Sequence, residues 1–192
     1  MDSSEGIRRI QLKESLESEC KSTVEQKINR YLEIEHQRII GGHHFSKASF
    51  ECIYLYRDGY FIGTVMMSHA INEGVIKFIA ERNSISRKKE SGDTKTIEEL
   101  INEFKKRKII SDECAEASIN IWKSFRADIH HMNPKVMEIP FKELALQNMK
   151  DLAIIEKEIF GFDINNGAII PHQPKYWNIN KNGTIEAFLR LE

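Results

Sequence analysis

The stretch SDECAEASINIWKSFRADIHHMNP, residues 111–134, decides how the chain is read. Ser111-Asp112-Glu113 has the composition of a helix start, a hydroxyl cap followed by acidic residues in the first turn. Ala115, Ile119, Trp122, Phe125, Ile129 and Met132 then recur at spacings of three and four, the period of one face of an α-helix. The pattern predicts a single helix from about 112 to 132. Pro134 ends or bends it, because proline lacks the amide proton and disfavours helical geometry at Asn133.

Upstream, Thr96-Ile97-Glu98-Glu99 is a capping box, in which the Thr hydroxyl and the Glu carboxylate satisfy free amides at a helix start. That helix carries Leu100, Ile101 and Phe104 and stops near Lys108. Further back, residues from about 45 to 80 predict a helical hairpin with a turn or kink at Arg57-Asp58-Gly59-Tyr60. Residues 83–93 form an exposed loop whose Arg87-Lys88-Lys89 run is solvated. Residues from about 8 to 40 predict a long charged helix with one narrow apolar stripe: Leu12, Leu16, Cys20, Val24, Ile28 and Leu32. The stripe is expected against the main body or a second copy, with Gly41-Gly42 ending the helix. Downstream, a last helix is expected from about Phe141 to Phe160, with Leu144, Ala145, Met149, Leu152, Ile155 and Ile159 on one side. After Gly161, Ala168-Ile169-Ile170 and Thr184 to Leu189 predict a short β-hairpin or an irregular tail, with Asn182-Gly183 as the turn. The expected fold is all-α: an up-and-down helix bundle over 43–162, a long N-terminal helix over 1–42, and a C-terminal tail over 163–192.

Composition narrows the function. The 192 residues are 41% hydrophobic and 30% charged, with a net charge of −1. Such a chain has the material for a core and lacks the excess of cations needed to wrap duplex DNA. Three scattered cysteines, Cys20, Cys52 and Cys114, fit neither a disulfide framework nor a zinc motif. Reduced thiols, the absence of a signal-peptide pattern at the N-terminus and apolar runs too short for a bilayer together predict a soluble cytoplasmic protein.

The chemistry converges on Arg126-Ala127-Asp128-Ile129-His130-His131. The planar guanidinium of Arg126 matches a pair of phosphate oxygens. His130 and His131 exchange protons near neutral pH. Asp128 is placed to orient a histidine or hold Arg126, and Glu73 to hold Arg126 from a neighbouring helix. Arginine and histidine without paired carboxylates or metal ligands suit metal-independent phosphodiester cleavage, with no cofactor. On a straight helix Arg126 and His130 share a face, while His131 lies about 140° round from Arg126. The ordinary alternative is an arginine pairing on the surface beside two histidines at a helix end. His43-His44, with His36 or His69, compete as a zinc site but lack a completing Cys or acidic cluster. His69 and Glu73, one turn apart, read as a hydrogen-bonded pair inside the bundle, and Trp122 and Phe125 as core residues rather than base-stacking platforms.

The segment Ile97 to Asn133, with its Lys-Ile-Ile-Ser-Asp-Glu connection and its Trp-Lys-Ser-Phe-Arg-Ala-Asp-Ile-His-His ending, resembles the HEPN superfamily. Tyr56-Arg57-Asp58-Gly59-Tyr60 and the following apolar helix with Glu73 resemble the family's first helical pair. The resemblance spans roughly residues 45–160. It implies a small helical bundle, often dimeric, of a kind found in prokaryotic defence and toxin–antitoxin systems. Active members are metal-independent ribonucleases with an arginine, four to six residues and a histidine. Matched to that signature, Arg126 and His131 are the catalytic pair, with His130, Asp128 and Glu73 supporting or contacting substrate. Ala127 occupies a position that is usually polar in the family. The implied partners are RNA, a second copy of the chain, and an antitoxin or nucleotidyltransferase. The alternatives are a non-catalytic HEPN-like module that binds a nucleotide or partner protein, and a purely structural interaction protein.

Overall fold

The structure, a computed structural model, describes residues 3–190. Seven α-helices dominate: α1 Ser3–Leu32, α2 Ser46–Asp58, α3 Phe61–Arg82, α4 Ile97–Lys106, α5 Asp112–Lys123, α6 Arg126–His130 and α7 Phe141–Phe160. Five short strands complete it: β1 Ile39–Gly41, β2 Phe162–Asn165, β3 Ala168–Pro171, β4 Asn178–Ile179 and β5 Ile185–Leu189. The chain is therefore mostly helical with small antiparallel sheets, and the all-α expectation is corrected to that extent.

Local signals place several helix ends. The Thr96 hydroxyl accepts from the Glu99 amide while the Glu99 carboxylate accepts from the Thr96 amide, so the capping box is present. Ser111 caps α5 by accepting from the Cys114 amide. α2 stops at Gly59, whose φ of 87° is open to glycine and strained for other residues. There the Tyr60 amide donates to Leu55 and the Gly59 amide to Tyr56, the paired bonds of a Schellman motif. Arg30, in the last turn of α1, donates to the Arg57 carbonyl at 3.0 Å, and a Cβ on Gly59 would lie 2.9 Å from its guanidinium. One glycine thus ends α2 and makes room for the residue that docks α1.

α3 lies at the centre, packed against α2, α4, α5, α6 and α7. Its Val65, Ile71, Val75, Ile76 and Ile79 join Leu100, Ile101, Phe104, Ile121, Leu152 and Ile155 in one core. The stripe of α1 is expected against the body or a second copy. The helix touches the body through α2, but Leu12 and Leu16 are 55% and 64% exposed, so the body leaves that part of the stripe uncovered.

The sheets revise both chain ends. Ile39–Gly41 leaves the expected N-terminal helix and pairs antiparallel with Ala187–Leu189, giving a sheet of order β1-β5-β4. The turn at Asn182-Gly183 does join two strands, β4 and β5. Ala168–Pro171 instead pairs with Phe162–Asn165 across Asn166-Gly167, whose φ values of 50° and 79° belong to a type I′ hairpin turn.

Behind β5 sits a buried ion pair. Arg190 donates to both carboxylate oxygens of Glu156 on α7, at 2.6 and 2.8 Å, and also to the Ser49 hydroxyl and the Gln37 carbonyl. Both side chains are at most 4% exposed. A buried pair adds little over an apolar replacement, but removing one partner strands a charge and costs about 3–5 kcal/mol. Arg190→Met is expected to lower stability by that amount in urea denaturation, and adding Glu156→Met is expected to restore most of the loss.

Candidate functional site

The expected single helix over 112–132 is two helices. α5 stops at Lys123, and Phe125 adopts left-handed geometry (φ 55°, ψ 24°) before α6 begins at Arg126. The bend therefore precedes the arginine. Pro134 plays a different part: it occupies the start of a short 3₁₀ turn, Pro134–Glu138, where its missing amide proton is not needed. Met132, with φ 48°, closes the segment at its other end. Left-handed backbone costs a side chain with a Cβ about 1–2 kcal/mol. Residues 126–131 are thus bracketed by two strained, apolar, exposed residues.

Ser124 anchors the break. Its hydroxyl donates to the Ile121 carbonyl at 2.7 Å, so it can only accept from its other neighbours. His69 on α3 therefore supplies an Nε2–H to it at 2.8 Å, and Asn148 on α7 approaches with Nδ2 at 3.3 Å. Asn148 also donates to Ser68 at 2.8 Å. Three helices meet on one serine.

On that frame two pairs interlock. Arg126 and His130 are one turn apart on α6; Glu73 and His69 are one turn apart on α3. Arg126 donates to Glu73 Oε2 at 3.1 Å, as the sequence suggested, and lies over the Trp122 ring, 4.4 Å from its centroid. His130 stacks on His69 with centroids 6.0 Å apart. The Arg126–Glu73 pair is partly exposed, 39% and 27%, and such pairs contribute at most about 1 kcal/mol. Its effect is orientation. Glu73 also accepts from Lys77 at 2.6 Å, so the expected His69–Glu73 bond is replaced by two separate partnerships.

His131 is exposed and lines, with Trp122, Phe125, Arg126, Asp128 and His130, an open cleft of about 610 Å³. Asp128 accepts from Asn133 Nδ2 at 3.0 Å, an intraloop bond, and is bonded to neither Arg126 nor a histidine among the described residues. Phe125 is 46% exposed, which corrects its reading as a core residue, whereas Trp122 is partly buried and packs against the core.

Sequence reading missed His69 as a neighbour of His130. The available signal was that His69 and Glu73 repeat the one-turn spacing of Arg126 and His130. The other histidines sit apart from this site. His43 bonds the Tyr176 carbonyl at 2.8 Å among Phe45, Phe78 and Phe160, and His36 bonds Tyr31. Among the described residues, no group of three or more His, Cys, Asp or Glu is placed to hold a metal ion.

Burial, with His130 and Arg126 adding repulsion, pushes the His69 imidazole from 6.5 down to about 4. Well above pH 6.5 it is neutral in folded and unfolded chains alike. As pH falls, the unfolded chain takes up the proton first, so this histidine withdraws stability between about pH 6.5 and 4. Thermal melts across that window are expected to fall more steeply for the native chain than for His69→Gln, which cannot titrate.

Comparison with protein-family models, with curated proteins and with solved structures finds no match for this chain.

Proposed function

We propose that the chain is a metal-independent endoribonuclease of the HEPN type, a cytoplasmic toxin or defence effector. The observation that carries this reading is the convergence in one cleft of Arg126, oriented by Glu73 and Trp122, with His130 and His131. The arrangement supplies an unconditional positive charge for a phosphate and two imidazoles for proton transfer. In the proposed reaction, His131 takes the proton from a ribose 2′-hydroxyl, whose oxygen attacks the adjacent phosphorus. Arg126 stabilises the charge building on the phosphorane oxygens. The 5′-oxygen leaves and takes a proton from water, His131 returns its proton to solvent, and the products are a 2′,3′-cyclic phosphate and a 5′-hydroxyl. His130, held against His69 on the side of α6 facing α3, contacts the substrate or supports Arg126. Asp128, tied to Asn133, shapes the loop that follows. A homodimer would bring two such clefts together, and an antitoxin or nucleotidyltransferase would restrain the activity.

One observation favours a second reading, a non-catalytic module that binds a nucleotide or a partner protein. Among the described residues, no hydrogen bond orients the His131 ring, and Ala127 offers none beside it.

Two features of the helical frame support the resemblance on which the proposal rests. The two helical pairs, α2–α3 and α4–α5, pack together, and Glu73 of the first pair meets Arg126 just after the second. No helix among the described residues is long and apolar enough to cross a membrane.

Incubation of the purified chain with single-stranded RNA is expected to give cyclic-phosphate and 5′-hydroxyl ends, with activity persisting in excess chelator. Arg126→Ala and His131→Ala are each expected to reduce cleavage on the order of 10²–10³-fold. Loss of cleavage in chelator that zinc restores, or cleavage unchanged in both variants, would sink the ribonuclease reading.

A further inference from the structure

Phe125 is poorly explained by folding. Its backbone is left-handed, a geometry that glycine adopts without strain and a phenylalanine does not. Strain of this kind is ordinarily offset by packing the side chain, yet this ring is 46% exposed and makes no ring–ring contact among the described residues. The left-handed turn swings the chain out of α5 immediately before Arg126, and the ring forms part of the wall of the cleft that Arg126, His130 and His131 share. Trp122, the other aromatic in the wall, already carries the Arg126 guanidinium over its ring. Phe125 is the aromatic left open to solvent.

We propose that Phe125 is a base-stacking platform, a subsite for one unpaired nucleobase beside the phosphate that Arg126 holds. The proposal rests on the ribonuclease reading for the position of that phosphate and names the substrate class: single-stranded RNA. An aromatic face accepts any base by stacking, while a base inside a duplex is already stacked and cannot reach the ring. Arg126 supplies the positive charge that draws the flanking backbone. The strained backbone keeps the ring at the cleft rather than against the core.

The test uses the full chain carrying His131→Ala, which is expected to slow cleavage beyond the time of the measurement, and a short single-stranded oligoribonucleotide containing 2-aminopurine. The parent is expected to quench 2-aminopurine fluorescence on binding, the signature of stacking. Phe125→Trp is expected to retain the quench and an affinity within about twofold. Phe125→Leu, apolar but without a π-face, is expected to lose the quench and weaken binding by about tenfold. Phe125→Gly is expected to lose the quench while its melting temperature rises, since the strain is relieved; that separates loss of the platform from loss of the fold. A Phe125→Leu variant that binds and quenches like its parent would overturn the proposal. So would one that turns a dimer into a monomer on sedimentation in step with weaker binding, because the ring would then be a contact between two copies. If Arg126→Ala abolishes cleavage and Phe125→Leu leaves binding unchanged, the ribonuclease reading stands and the platform falls. If the native chain cuts no RNA and the quench still depends on the ring, the platform stands and the ribonuclease reading falls.

Discussion

The hydroxyl of Ser124 carries more of this structure than its size suggests. It has one proton to give, and the carbonyl of Ile121 takes it. Everything else that approaches must donate, and so His69 is held in its Nε2–H tautomer and Asn148 turns its amide nitrogen inward. α3, α5 and α7 are thereby joined where α5 ends. The joint sets the direction in which α6 leaves, and with it the pairing of Arg126 with Glu73 and of His130 with His69.

That joint also explains why the two histidines differ. The face of α6 shared by Arg126 and His130 is turned to α3, where each finds a partner one turn from the other's. His131 is about 100° further round and opens to the cleft. Helix geometry alone favoured His130 beside the arginine, and family spacing favoured His131. Both histidines are exposed and line the cleft; His130 also stacks on His69, and His131, the residue that caps α6, does not.

How far the chain could be read in advance depended on the range of the signal. α7 begins and ends at Phe141 and Phe160 as expected, and α4 and α5 begin where Thr96 and Ser111 cap them, because a cap and an apolar period are written within a few residues. The contact of Arg126 with Glu73 was legible because charge complementarity between two helices does not depend on fine geometry. The break at Phe125 was not. Trp122, Phe125 and Ile129 keep a helical period straight through it, and the bonds that hold Ser124 at the turn come from His69 and Asn148 on other helices. The strand Ile39–Gly41 was hidden for a similar reason, since its partner lies roughly 150 residues away and a three-residue apolar run carries no period of its own.

That long-range pairing also orders events in time. On a ribosome adding about 5–20 residues each second, Ile39 and Ile40 emerge about 7–30 seconds before Phe188 and Leu189. Through that interval the helices can form from local contacts, and Glu156, once made, has no guanidinium to bury against until Arg190 follows 34 residues later. The carboxylate must stay hydrated, and the end of α7 with it, until Arg190 arrives. The segments 39–41 and 187–190 therefore close on each other only after the helices between them have been made.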